Sequence, residues 1–215
     1  MAQVGSFNER SITNFRDRLV GGGARSNMFE VNIELPTKVI GLNDYKNDIR
    51  FMVKAAEIPA ANIGNIPIPF RGRILPVAGD RTFDPWTVTI INDQKFNIRD
   101  AMERWSDFIN DLQTAQGEIN PENYQKVGFV KQLSRRGTGA NDGVDILREY
   151  KFTGIYPNVV SSIPLDYGAS DQIEEFQVTF NYLFWEVIGG TTDYGGSLIE
   201  KVLRTYKFEG IYPIL

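Results

Sequence analysis

Four stretches of this 215-residue chain carry residue types that could do chemistry. Glu174 and Glu175 have the make-up of an acid/base pair, Arg135 and Arg136 that of a phosphate grip. Gly21-Gly22-Gly23 is rich enough in glycine to cradle a phosphate, and Asn141-Asp142-Gly143-Val144-Asp145 resembles part of a calcium loop. Spacing argues against each. Glu174 and Glu175 lie in a strand pattern, where adjacent side chains point to opposite faces and cannot address one substrate atom. Arg135 and Arg136, with Asp142 and Asp145 close behind, read as a solvated hairpin connection in which Asp142-Gly143 is the turn dipeptide. No GxxxxGK[ST] or GxGxxG spacing follows the triple glycine, and the D-x-[DN]-x-[DN]-G calcium pattern is missing.

The chain has no histidine and no cysteine. That removes Ser-His-Asp and Cys-His catalysis, HExxH zinc chemistry, disulfides and iron–sulfur clusters. The expectation is therefore no catalytic residue, no cofactor-binding residue, no metal ligand and no enzyme. Lys and Arg number 23 against 27 Asp and Glu, a net charge of -4. A protein that grips nucleic acid needs a clustered positive surplus, so any contact with DNA is expected to be loose. No apolar run approaches the ~18 residues that span a bilayer, and residues 1–25 lack a signal-peptide core. The expected setting is the cytoplasm of the cell that makes the protein, with no membrane contact.

The elements are organised around Phe70 to Asn110, which reads as strand, turn (AGDRTF), strand and helix. Trp86 to Ile91 (WTVTII) has strand-forming residues closed by Asn92-Asp93. Beyond it Ile98, Met102, Trp105, Ile109 and Leu112 recur at helical spacing, with Asn97 as N-cap and Asp100 in the first turn. Asp100 with Arg104 and Arg99 with Glu103 are i,i+4 pairs. Trp86, Met102, Trp105 and Ile109 are the expected core, where this helix packs on a sheet.

Before that stretch, Ser11 to Val20 spaces Ile12, Phe15 and Leu19 as a short helix on a glycine hinge, either a frayed arm or a hook onto a neighbouring subunit. Asn27 to Leu35 alternates as a half-buried strand, residues 36–48 read as a polar loop, and Ile49 to Ile58 as a second strand. Pro59 to Pro69 (PAANIGNIPIP) is too rich in proline for a sheet centre. After the helix, residues 114–124 are turn-rich. Lys126 to Leu133, Val144 to Pro157 and Ile173 to Val187 complete the strands, the last with Phe176, Val178, Phe180, Tyr182 and Phe184 on one face. The fold class is mainly β: an antiparallel barrel or sandwich of seven or eight strands with one principal α-helix.

AGDRTF, WTVTIIND and FNIRDAMERWSDFIN together resemble the tail tube proteins of T4-like contractile-tailed bacteriophages. The likeness extends through ARSNMFEVNIELP, VKAAEIP, EYKFTGIYPNVVSSIPLDY and EEFQVTFNYLFWEV, covering residues 24–187. It implies a structural subunit of a phage contractile tail's inner tube. In this reading hexameric rings join their sheets into a continuous inner barrel and stack into a conduit for genome DNA, which passes without specific binding. The implied partners are copies of the chain itself, the tail sheath, baseplate, tape measure and tail terminator proteins, and the implied location is the virion. The family also supplies a long loop near Ile63 and Ile66 that reaches a neighbouring subunit; a rigid surface loop is the other reading. A type VI secretion or phage-derived injection tube shares this architecture, and an oligonucleotide-binding barrel is the remaining alternative.

The domain reading is an N-terminal arm at 1–23, a tail tube β-barrel domain at 24–188 and a C-terminal extension at 189–215. The extension carries an internal repeat: YKFTGIYP at Tyr150 to Pro157 returns as YKFEGIYP at Tyr206 to Pro213. As strands, both copies would show Tyr, Phe, Gly and Tyr on one face. The expectation is that Tyr206, Phe208 and Tyr212 add an extra strand or edge cover against their own or an adjacent subunit; a loose surface decoration is the alternative.

Overall fold

A computed structural model describes residues 12–19, 23–39, 46–135 and 146–190. The repeat at 206–213, the Arg136 to Gly143 connection, the cap at Ser11 and the first two glycines of the hinge lie outside the described residues. Among the described residues nine strands and four helices follow one another: α1 (Ile12–Arg18), β1 (Phe29–Ile33), α2 (Lys46–Met52), β2 (Val53–Ala56), β3 (Asn62–Phe70), β4 (Arg73–Thr82), β5 (Trp86–Ile91), α3 (Asn97–Ile109), α4 (Pro121–Tyr124), β6 (Lys126–Leu133), β7 (Ile146–Val160), β8 (Glu175–Asn181) and β9 (Phe184–Gly190). Every strand pairing is antiparallel.

β7 organises the body because it belongs to two sheets. Its first part lies between β6 and β9, with β1 beyond β6; its last part pairs with β8, which leads to β5 and β2. The bend falls at Gly154, whose φ of 73° is the left-handed conformation that glycine adopts without steric cost. The register with β6 skips a residue there, and the buried face of β7 changes from Tyr150, Phe152 and Gly154 to Ile155 and Pro157. Tyr156 therefore leaves the buried face that simple alternation gave it. It is half-buried instead, edge-on to Tyr124 with ring centroids 5.9 Å apart.

Two registered rows form the core side of the first sheet: Val31, Val130, Tyr150 and Val187, then Ile33, Gly128, Phe152 and Trp185. The second sheet supplies Trp86, Val88 and Ile90 from β5 opposite Phe180, Val178 and Phe176 from β8. The sheets meet closely at Gly128, where a Cβ would lie 2.9 Å from Ile155 and 3.3 Å from Trp86. From α3, Ile98, Ala101, Met102 and Trp105 are fully enclosed, and Trp105 sits 6.1 Å from Phe180. Both expected i,i+4 ion pairs of α3 are present.

Several elements differ from the sequence reading. Ile49 to Ile58 is not one strand: α2 occupies its start, with Asp48 in the first turn, Arg50 in the last and Ile49 buried against β1, and β2 begins only at Val53. AGDRTF is not a turn, because β4 runs to Thr82 and the reversal falls at Arg71-Gly72. Asn97 is the first helical residue rather than the cap; Phe96 holds the cap position in the left-handed region, without a side-chain cap bond. The helix ends at Ile109, so Leu112 leaves the stripe and is 91% exposed. The turn-rich segment after α3 contains α4, capped by Asn120, whose Oδ1 accepts from the Glu122 amide at 3.1 Å. Ile173 to Val187 divides at Tyr182-Leu183 as the chain crosses from one sheet to the other. Phe176, Val178 and Phe180 are buried, whereas Tyr182 is half-buried and Phe184 exposed.

Candidate assembly interface

β3 and β4 pair only with each other, so they form a ribbon that leaves the body. Phe70 pairs with Arg73 across a two-residue turn whose central residues, Arg71 and Gly72, both have positive φ, as a primed hairpin turn requires. One face carries Ile66, Ile68 and Phe70 with Val77 and Leu75 opposite; the other carries Pro67, Pro69, Pro76 and Ile74. Both faces are apolar and both are open: Ile66 is 52% exposed, Phe70 65% and Ile74 67%. A lone two-stranded hairpin is marginal in water, and apolar surface gains ~25 cal/mol per Å² on burial, so this ribbon is built to be covered.

The prolines determine how it is covered. Pro67 faces Pro76 directly, and Pro69 lies two residues on with Ile74 opposite. Neither member of a proline pair can donate to the ladder, so these are the positions whose amides would point outward. The outer edge of β3 thus lacks two outward donors and that of β4 lacks one, at Pro76. The ribbon can dock through its side chains, whereas extension by strand addition is disfavoured, above all at β3.

Two tryptophans fix its base. The indole Nε1 of Trp86 donates to the Glu57 carbonyl at 3.0 Å and that of Trp185 to the Ala60 carbonyl at 3.1 Å. The segment entering β3 is thereby tied to both sheets.

The face of the first sheet turned away from the core carries charges that cancel across strands. Arg50 meets Glu30 at 2.7 Å, and Lys131 lies between Glu30 at 3.9 Å and Glu149 at 3.6 Å. One row along, Lys151 meets Glu186 at 3.2 Å. This sheet has two edges, β1 and β9, with no strand on their outer sides among the described residues.

Glu174 accepts from Asn92 Nδ2 at 2.9 Å, while Glu175 pairs with Lys54 at 2.5 Å, so separate partners hold the two carboxylates. They lie at the end of an open groove formed by the 163–175 segment itself, together with Ile163, Leu165, Tyr167 and Ile173. Among the described residues no group of three acidic side chains could hold a metal. Among the described residues three groups are shifted from their ordinary values by their surroundings. Hydrogen bonds from Thr114 and Gln113 lower Asp111, bonds from Asn120 and Asn123 lower Glu118, and burial followed by the charge of Asp84 raises Tyr182. The first two groups order loops.

Of the residues singled out from the sequence, Trp86, Met102 and Trp105 are enclosed in the core and Ile109 is half-buried beside it. Ile63 and Ile66 are exposed on β3, Arg135 is exposed after β6, and Tyr206, Phe208 and Tyr212 lie outside the described residues. The sequence reading placed a strand over Ile74, Leu75 and Val77 but missed its pairing with β3 and its exposure. The signal was present: Arg71-Gly72 between two stretches of proline and aliphatic residues.

Residues 24–188 match the family model described as phage tail tube protein. The chain belongs to this family. It is 34% identical over 170 residues to tail tube protein gp19 of Enterobacteria phage T4, an alignment spanning 77% of this chain and 93% of that protein. With the tail tube protein of Serratia phage KSP90 it shares 26% identity over 174 residues, 80% and 94% of the two chains. The fold is similar to a chain in the six-fold symmetrised structure of the anti-feeding prophage baseplate, with a TM-score of 0.52, 12% identity, and coverage of 79% of this chain and 98% of that one. The family membership and the relatives make this chain a structural subunit of a phage contractile tail tube.

Proposed function

We propose that tail tube subunits of this sequence close into six-fold rings and stack, and that the β3–β4 ribbon is the principal stacking contact. The ribbon carries the reading: an element apolar on both faces, with proline-interrupted edges and two indoles fixing its base, is unfavourable in an isolated subunit and favourable between subunits. Within a ring, β1 of one subunit pairs with β9 of the next, a head-to-tail contact that closes when the rotation is a whole fraction of a turn. Ile63 and Ile66 are inter-subunit residues in this arrangement, Trp86, Met102, Trp105 and Ile109 hold the subunit together, and residues 24–188 form the tube domain.

The charged face of the first sheet then lines the bore. Lys131 and Lys151 are both ion-paired to carboxylates there, which suits a conduit that must not retain phosphates. DNA passes without specific binding. The role is structural rather than enzymatic. The subunit is made in the host cytoplasm and ends in the virion, against sheath, baseplate, tape measure and terminator proteins. Electron microscopy of purified protein, alone and with phage baseplates, tests this: six-fold rings or tubes are expected, and a subunit that stays monomeric with baseplates present would overturn it.

A further inference from the structure

Besides the ribbon, the 163–175 segment between β7 and β8 presents open apolar surface. Leu165, Tyr167 and Ile173 are exposed around its groove, and Ile163 behind them packs on the core. We propose that this groove receives the tip of the β3–β4 ribbon from a second copy of the chain in the next ring, an assignment that rests on the stacking role given to the ribbon above.

Charge selects the occupant. Residues 161–175 contain Asp166, Asp171, Glu174 and Glu175 and no lysine or arginine. Lys54 neutralises Glu175 and Asn92 holds Glu174, whereas Asp166 and Asp171 are exposed and have no ion pair among the described residues. The ribbon is the converse. It carries Arg71, Arg73 and Arg81 against Asp80 alone, and none of the three arginines has an ion pair among the described residues. Arg71 lies over the Phe70 ring, 5.3 Å from its centroid, so the tip presents charge and apolar surface together. Ribbon on ribbon would set these arginines against one another, and groove on groove the aspartates. Only ribbon on groove brings opposite charges together while covering both apolar surfaces.

The two surfaces lie at opposite ends of the second sheet. Both strands of the ribbon join the body beside Trp86 at the start of β5, where the indole holds the Glu57 carbonyl and Thr82 lies just ahead in the chain. The groove is at the other end, where Ile91 pairs with Glu175 and the Asn92 amide donates to the Glu174 carbonyl at 2.9 Å. The length of β5 separates them by roughly 17 Å. A ribbon leaving one end and a groove open at the other make a head-to-tail contact, which repeats along an axis without pairing a surface with itself. Stacked rings need such a contact.

Charge reversal tests the match. Arg71→Glu with Arg73→Glu, the ribbon pair, and Asp166→Arg with Asp171→Arg, the loop pair, should each lower tube formation about tenfold, and all four in one chain should recover most of it. Unfolding midpoints near wild type establish that each subunit is folded. Asp166→Asn with Asp171→Asn keeps an acceptor for the Gly168 amide, which Asp166 holds at 2.8 Å, and should lower tube formation less than the loop pair.

The absence of cysteine allows a second measurement. In tubes treated with a flexible bis-maleimide, Ile74→Cys with Ser170→Cys in one chain should give a ladder of linked subunits, and either substitution alone should give monomers. Dimers from Ile74→Cys alone would mean that ribbon meets ribbon and would overturn the proposal. Normal tubes from the loop pair while the ribbon pair blocks assembly would place the landing surface elsewhere and leave the stacking reading intact. Normal tubes from both pairs would remove the ribbon itself from the contact.

Discussion

The indole of Trp86 lies flat on the ring of Phe152, centroids 4.4 Å apart and planes 15° from parallel. Its other side approaches Phe180 at 5.6 Å, and its Nε1 holds the Glu57 carbonyl at the base of the ribbon. One side chain therefore joins both sheets and anchors the assembly element. Trp86→Ala should cost ~3–5 kcal/mol in denaturant unfolding, and Trp105→Ala a similar amount because its bond to the Tyr124 carbonyl at 2.9 Å is lost as well. Ile109→Ala should cost clearly less, since that side chain is only half-buried. A small loss at either tryptophan would mean that α3 and β5 do not meet as described.

These core positions were legible from the sequence because they follow periods, 3.6 along α3 and 2 along β5 and β8. Tyr156 was not, because one glycine in a left-handed conformation shifts the phase of β7. The break at Tyr182-Leu183 was hidden for a related reason: aromatic alternation continues through a point where the chain changes sheets. The pairing of the ribbon's two halves escaped because their pattern offers no polar face to set against an apolar one. That reads as a poor strand in a monomer and makes sense only with a partner. The resemblance supplied the neighbouring subunit that periodicity could not.

Gly154 gives the test of that phase shift. A Cβ there would lie 2.7 Å from Leu183 Cγ, and the backbone φ is 73°, so alanine is strained twice. Gly154→Ala should cost ~1–3 kcal/mol. Adding Leu183→Ala should recover the steric part and leave the conformational part. No recovery in the double variant, measured by unfolding midpoints, would show that the contact is not what excludes a side chain.

Asp111 gives a pH dependence. Its carboxylate accepts from the Thr114 amide at 2.6 Å, the Thr114 hydroxyl at 2.8 Å and the Gln113 amide at 3.0 Å, which together hold it below its ordinary 3.8. A carboxyl lowered by folding contributes stability above its unfolded value and loses it as pH falls through the folded one. The difference between wild type and Asp111→Ala should thus be present at pH 7, hold down to about pH 4, and shrink below 3.8 as the charge is lost. A difference that grows in acid would contradict the assigned bonds.

The ribbon separates subunit stability from assembly. Ile66, Ile68 and Leu75 are exposed on a ribbon whose strands pair with no other strand, so aspartate at any of them should leave unfolding of the isolated subunit within ~0.5 kcal/mol of wild type. In a stacked tube the same carboxylate would be buried without a partner, at a cost of several kcal/mol repeated at every subunit. Ile66→Asp, Ile68→Asp and Leu75→Asp should therefore abolish tubes in the electron microscope while the subunit stays folded. Ile74→Asp, on the opposite face with the prolines, asks whether one face or both are covered: loss of tubes there too means the ribbon is sandwiched, and normal tubes mean it lies on a single partner surface. Tubes of normal length from all four variants, under baseplate-seeded conditions, would remove the ribbon from the interface.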